Sequence, residues 1–299
     1  MTSEIINQDQ LGVLGVDAAI RDDKPPSKLR RWSVSFTLAV VMLAIVALLV
    51  FVVPFLPGFD TETQDLGANL EAPFQNPAHL LGTDALGRDI LSRLSVAIRV
   101  SLLVAFGAVI ISAVVGTAVG LIAGYFRRRV DTVLMTVGDI QLSIPVVLLL
   151  IVLVATLGSS PLLLVVLLGL TNWVGYGRVV RSMVVSLREQ EFVQAAKSAG
   201  ASGFWVIRKH LLPNVLSQVV ILAAFEIGVV VTIESSLSFI GLGIQPPTPS
   251  LGLMINEGQR YLQSNPSLVV VPALAIFLVI GGIQFLSQNV GVRRSRSTK

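Results

Sequence analysis

The stretch IQLSIPVVLLLIVLVATLGSSPLLLVVLLGLTNWVGYG, Ile140–Gly177, carries no Asp, Glu, Lys or Arg. A hydrocarbon core of about 30 Å is crossed by roughly 20 apolar helical residues, so this run is too long for one crossing. Gly158-Ser159-Ser160-Pro161 interrupts it with residues that favour a tight turn. The run therefore reads as two crossings, one starting near Val133 and the other ending near Tyr176. Within lipid each crossing must satisfy its own backbone, which leaves helices or a closed barrel. The residues do not alternate apolar and polar, and this excludes the barrel.

Working outward, further apolar blocks occupy about Val34–Val53, Val100–Tyr125, Val215–Ser236 and Leu268–Leu286, giving six crossings with both termini on one side. Composition agrees: 53% of residues are hydrophobic and 13% charged, and the mean hydropathy is +0.79. The expected fold class is an all-α polytopic membrane protein. The first block exceeds the 7–15 residues of a signal-peptide core and no small-residue cleavage site follows it, so it reads as a retained span. The expected organisation is a polar tail over 1–31, a first span and outer extension over 32–98, a core of five spans over 99–288 and a basic tail over 289–299.

Eighteen of the 22 Lys and Arg residues fall on the side of the termini, which assigns that side to the cytoplasm. The other four, Arg88, Arg93, Arg99 and Arg260, share their loops with seven acidic residues. The net charge of +4 thus reports topology and gives no support to nucleic-acid binding. Cysteine is absent, which excludes disulfides and thiolate chemistry. The two histidines, His79 and His210, lie on opposite sides of the expected membrane, so they form no zinc site. No GxxxxGK[ST] loop occurs, so this chain does not hydrolyse ATP by itself, and no cofactor is expected in it. Gly120 and Gly124 lie inside a span, where small residues permit close helix packing.

One segment on the cytoplasmic side departs from all this apolarity: FVQAAKSAGASGFWVIRKHLLPN, Phe192–Asn214. Phe192, Ala195, Ala196 and Ala199 recur at helical spacing and form one stripe, while Gln194, Lys197 and Ser198 stay polar. Gly200 is placed to end that helix in a left-handed cap. Ser202 can cap a second helix from about Gly203 to Leu211, with Phe204, Ile207 and Leu211 on one face and Pro213 at its end. Two readings fit: a helix-turn-helix elbow that another protein grips, or an amphipathic loop lying on the headgroups.

The residues also carry a resemblance. Ala195-Ala196, Gly200 and His210-Leu211-Leu212-Pro213 are spaced as in the EAA motif of ABC importer permeases, with Gln194 at the motif's leading Glu and His210 at its usual Ile. HLLGTDALGRDI (79–90), GLIAGYFRRRVD (120–131) and ESSLSFIGLGIQPPTPSLG (234–252) extend it, and the chain is similar to the C-type permease subunit of the dipeptide/oligopeptide/nickel importers. Ser287-Gln288-Asn289-Val290-Gly291 replaces that family's usual Gly-Asp-rich close.

The resemblance implies a type I importer transmembrane domain in a prokaryotic cytoplasmic membrane. Its cytoplasmic coupling helix, about 191–213, would dock on an ATPase subunit through Phe192, Gln194, Ala195, Ala196, Ala199, Gly200, His210, Leu212 and Pro213. The implied partners are a second homologous permease, two ATPase subunits that bind ATP and Mg, and an extracytoplasmic binding protein. Peptides are the implied substrate, with nickel chelates or related solutes as the alternative. A self-sufficient secondary transporter or channel, or a passive scaffold, is the competing class. An inverted repeat would mark the secondary transporter, and none is seen.

Three acids are expected near a pathway: Asp139, Glu226 in the middle of the fifth span, and Glu234 close to the outer boundary, where it is solvated or caps local structure. On the outer side, Thr83 or Asp84 is expected to cap a surface helix with Ile90, Leu94, Ala97 and Ile98 on one face and Arg88, Asp89, Ser92 and Arg93 pointing elsewhere. That helix would seat the binding protein or anchor at the interface. Gln245–Pro249 reads as a stiff loop between the last two spans, and Pro145 and Gly228 as kinks or packing positions.

Overall fold

A computed structural model describes residues 34–297, with side chains to residue 288. The expected tail over 1–31 lies outside the described residues. Ten α-helices form the described chain: α1 Val34–Phe51, α2 Ile90–Phe126, α3 Arg128–Leu142, α4 Val146–Leu157, α5 Pro161–Leu187, α6 Glu191–Ser198, α7 Gly203–Val206, α8 Leu212–Phe239, α9 Leu251–Gly258 and α10 Ser267–Ser297. Five helical stretches are long and apolar enough to cross a membrane, and a sixth forms if α3 and α4 count as one span.

The central contact is α2 against α5. Gly116, Gly120 and Gly124 recur every fourth residue on α2, and a Cβ at any of them would lie within 3 Å of α5 atoms. The carbonyl of Trp173 stands 2.4 Å from where the Cβ of Gly116 would be, and that of Gly177 2.6 Å from that of Gly120. Ser112 adds an interhelical bond to the carbonyl of Gly169 at 2.9 Å. The expected close packing at Gly120 and Gly124 is therefore present. On the other side of the bundle, Gly281 and Gly282 of α10 receive Met42 and Leu43 of α1, and Arg99 of α2 donates to the carbonyl of Val50 in the last turn of α1.

Several expectations change. The third crossing is not one helix: α3 and α4 meet at 81° across Ser143-Ile144-Pro145. Pro145 has no N–H and disfavours helical backbone at Ile144, so the chain breaks where a kink was expected. At 12 residues, α4 spans only about 18 Å and cannot cross the bilayer alone. The turn at 158–161 is as expected, with Gly158 at φ +88° and Ser160 accepting from the N–H of Leu163 ahead of Pro161. Helix α8 runs unbroken through Gly228, whose missing side chain admits Gln284 of α10, so the packing role expected of it is present. Helix α10 runs on from the last span to Ser297, through residue 289 where the basic tail was expected to begin.

On the outer side α2 starts at Ile90, capped by Asp89, and runs straight into the span. Ile90, Leu94, Ala97 and Ile98 are buried as expected, but Arg93 is buried with them. Thr83 and Asp84 belong to the preceding loop and cap nothing helical. The short buried helix α9 was not anticipated. Ser250 caps it by accepting from Leu253, and Gly252 lets its backbone approach Ser235 of α8.

Candidate functional site

The elbow at 188–213 is built on the adjacent ends of α2 and α5. Arg188 donates to the carbonyl of Tyr125 at 2.6 Å, and Arg127 reaches Glu189 at 2.7 Å, so the two helix ends are tied where the chain leaves them. Only one side chain of α6, Val193, is fully buried; it packs with Leu121, Tyr176, Val180 and Val184. Phe192, Gln194, Ala195 and Ala199 are exposed and Ala196 is half-buried, so the small-residue stripe faces away from the bundle. Gln194 bonds the carbonyl of Arg188 at 2.9 Å. Glu191 in the first turn and Lys197 in the last complement the helix dipole.

The end of α6 is a Schellman motif. The N–H of Ala201 reaches the carbonyl of Ala196 at 3.0 Å and that of Gly200 reaches Lys197 at 2.9 Å, with Gly200 at φ +84°. No atom occupies the space where a Cβ of Gly200 would project, so backbone conformation and not crowding demands glycine. Lys197 then folds back over the ring of Tyr125, 5.2 Å from its centroid. Burial, followed by the neighbouring charges of Arg188 and Arg127, holds its amine below the ordinary lysine range.

Ser202 caps the second arm through the N–H of Trp205, as expected. The arm does not end at Pro213. It passes through a π-turn, Ile207–Leu211, directly into α8, with the N–H of Leu212 bonded five residues back to Ile207. The wide turn makes room for the Pro213 ring, and the side chain of Asn214 bonds the carbonyl of His210 at 2.6 Å. The π-turn also shifts the apolar register. Val206, Leu211, Val215 and Val219 are buried, the first step being five residues, whereas Phe204 of the expected Phe204/Ile207/Leu211 face is exposed. His210 lies between Phe192 and Trp205, at 5.6 and 5.1 Å between ring centroids. Leu212 is half-buried and Pro213 exposed in the first turn of α8. The elbow offers shape and apolar contact, with no nucleophile and base in register.

The three expected pathway acids do not converge. Asp139 is exposed on α3 and paired with Arg178 of α5 at 2.6 Å; beside it Asp131 binds Arg181, and Gln141 accepts from Trp173. Glu226 is half-buried. Glu234 corrects the expectation: it is fully buried, accepting from Ser101 of α2 and Ser238 of α8 at 2.8 Å each, so it lines no surface of this chain. Hydroxyl donors, not solvent, satisfy it.

A second polar centre, on the outer side, escaped the sequence reading. Arg93 is 2% exposed and joins Asp84 to Glu257 of α9, at 2.9 Å to the latter. Arg88 binds the same two carboxylates at 2.7 and 3.5 Å. Burial alone would raise the Asp84 carboxyl, but Arg93, the N–H of Arg88, the Arg88 charge and the N–H of Leu86 outweigh it and hold it below the ordinary carboxylate range. These residues wall a cavity of about 230 Å³ shared with Met254, Arg260 and Tyr261. Asp89 both caps α2 and meets His79 at 3.2 Å.

With this geometry in place, three comparisons bear on the chain. Residues 116–296 match the family described as binding-protein-dependent transport system inner membrane component. The chain is 36% identical over 255 residues to the dipeptide transport system permease protein DppC of Alkalihalophilus pseudofirmus, covering 85% of this chain and 84% of that protein. It is also 36% identical over 250 residues to the nickel transport system permease protein NikC of Escherichia coli K12, covering 84% and 89%. A chain of the MetNI methionine ABC transporter, solved in inward-facing conformations, superposes with a TM-score of 0.51 at 20% identity, covering 66% of this chain and 94% of that one. This last likeness is one of fold.

Proposed function

Since the chain belongs to the family of binding-protein-dependent transport system inner membrane components, we propose that it is the moving permease subunit of an ATP-driven importer for peptides, with nickel chelates or related solutes as the alternative cargo. Two ATPase subunits, which bind ATP and Mg, close on each other and push the elbow. The elbow turns that closure into rocking of the bundle, and the pathway opens alternately to either side of the membrane. A second homologous permease supplies the other wall of the pathway, and an extracytoplasmic binding protein delivers the solute. The elbow and both termini lie on the cytoplasmic side of a prokaryotic inner membrane, in keeping with the distribution of Lys and Arg.

The observation that carries this reading is the outward stripe of Phe192, Ala195 and Ala199 on a helix whose one buried contact, Val193, ties it to the ends of α2, α5 and α8. Small side chains let a partner approach the backbone, and the arginine ties leave the helix little freedom to move apart from the spans. Force applied at the stripe passes to three spanning helices at once. Purification of the solubilised complex tests it: two ATPases and a second permease should be retained. Ion-driven uptake by this chain alone would refute the proposal.

A further inference from the structure

Tyr176 of α5 is 1% exposed, yet its hydroxyl has no hydrogen-bond partner among the described residues. Buried hydroxyls are nearly always paired, and one left alone asks for a physical reason. The side chain rests on Gly116 of α2, whose added Cβ would come within 2.5 Å of the Cβ of Tyr176. The next residue, Thr117, also buries an unpaired hydroxyl. Two orphan hydroxyls in one layer of the α2–α5 contact mark a packing arrangement that is incomplete in this conformation.

The third wall of that layer is α8. Val219 belongs to the same buried cluster as Tyr176, with Leu222 and Ala223 packed against it. Glu226 follows Leu222 by four residues and Ala223 by three, so it continues the same face one turn further along. It is half-buried and makes no hydrogen bond or ion pair with another described residue. A strong donor without an acceptor thus faces a helix that carries a strong acceptor without a donor.

We infer that Tyr176 and Glu226 become hydrogen-bond partners in the opposite end state of the transport cycle, so that a shift of α8 along α5 is held by a bond that this state lacks. The inference rests on the reading of the chain as an ATP-driven permease, because it requires two end states. Tyr176 and Glu226 are positioning residues: they set the relative stability of the two states and need not touch the solute.

The test uses the assembled complex of permeases and ATPases in lipid nanodiscs, with ATP as the probe. Hydrolysis rate and thermal stability are measured for Tyr176→Phe, Glu226→Met and the pair, with Glu226→Gln as the conservative variant that keeps an acceptor. A charge-assisted bond present in only one state predicts that each single variant slows turnover roughly tenfold. The double variant should be no slower than either single one, and Glu226→Gln should fall between wild type and Glu226→Met. Tyr176→Phe should melt no lower than wild type, because it removes an unpaired hydroxyl from the state described here. Independent, multiplying effects, wild-type turnover of Tyr176→Phe, or a slowing matched by lost thermal stability would overturn the pairing. Should Glu226→Met fail to assemble, turnover and melting of Tyr176→Phe decide alone. If the unaltered chain assembles with no ATPase, the function beneath the inference falls with it.

Discussion

The two ends of the bundle are built differently, one around buried charges and the other around a stripe of small side chains. On the outer side, Asp84, Arg88, Arg93 and Glu257 satisfy one another across two distant segments, and Arg93 is almost wholly enclosed. At the elbow, Phe204 is 74% exposed, Trp205 46% and Phe192 43%, around a stripe of alanines. The outer polar network is complete within the chain, although the loops around it expose Phe55, Phe74 and Leu66. The elbow instead gathers its exposed aromatics around small side chains, and this arrangement supports the coupling role proposed above.

If the contrast is sound, stability and coupling should separate between the ends. Arg93→Leu should have the largest effect on stability, about 3 kcal/mol, because it removes the buried one of the two cations that Asp84 and Glu257 share and leaves them Arg88 alone. Thermal unfolding and the yield of inserted protein measure it. The same network sets an acid limit. The Asp84 pKa is depressed in the folded protein, so its contribution is present above the ordinary carboxylate range and disappears as the pH falls through the lowered value. Unfolding followed from pH 6 to pH 3 should therefore drop more steeply in wild type than in Asp84→Asn.

Effects on stability shrink at the elbow. Gly200→Val should cost about 1–2 kcal/mol, the strain of a left-handed backbone at a β-branched residue, since no atom obstructs the new side chain. Lys197→Met should change stability by less than about 0.5 kcal/mol, because loss of the cation over the Tyr125 ring is offset by relief from burial and from the Arg188 and Arg127 charges. Ala195→Trp, at an exposed position, should change stability by less than about 0.5 kcal/mol and yet abolish nucleotide-dependent uptake. Equal loss of stability at both ends would dissolve the distinction.

What the sequence discloses follows from how local each signal is. Five of the six spans, the turn at Gly158–Pro161, the caps at Gly200 and Ser202 and the alanine stripe depend on residues within a few positions of one another, and all were legible. The outer network joins Arg93 to Glu257, 164 residues apart, and nothing in the spacing announces that pairing. Glu234 looked like a rim acid because its donors Ser101 and Ser238 come from two different helices. The π-turn before Pro213 shifted the buried face by one residue, and a fixed helical period hides such a shift. Likewise Pro145 announced a disturbance but not its 81° angle, and the Asp131–Arg181 and Gln141–Trp173 contacts that join α3 to α5 link residues 50 and 32 positions apart.

Because the chain lacks cysteine, a single one can be placed anywhere as a unique handle. The most direct measurement installs a thiol-reactive photocrosslinker at Ala199→Cys on the elbow and, separately, at Ala85→Cys beside the outer cavity, and analyses the products in native membranes. The account predicts an ATPase adduct from position 199 that changes in yield with ATP, and none from position 85. Absence of that adduct from position 199, or an equal adduct from both, would contradict the claim that the elbow is where ATP-driven work enters the bundle.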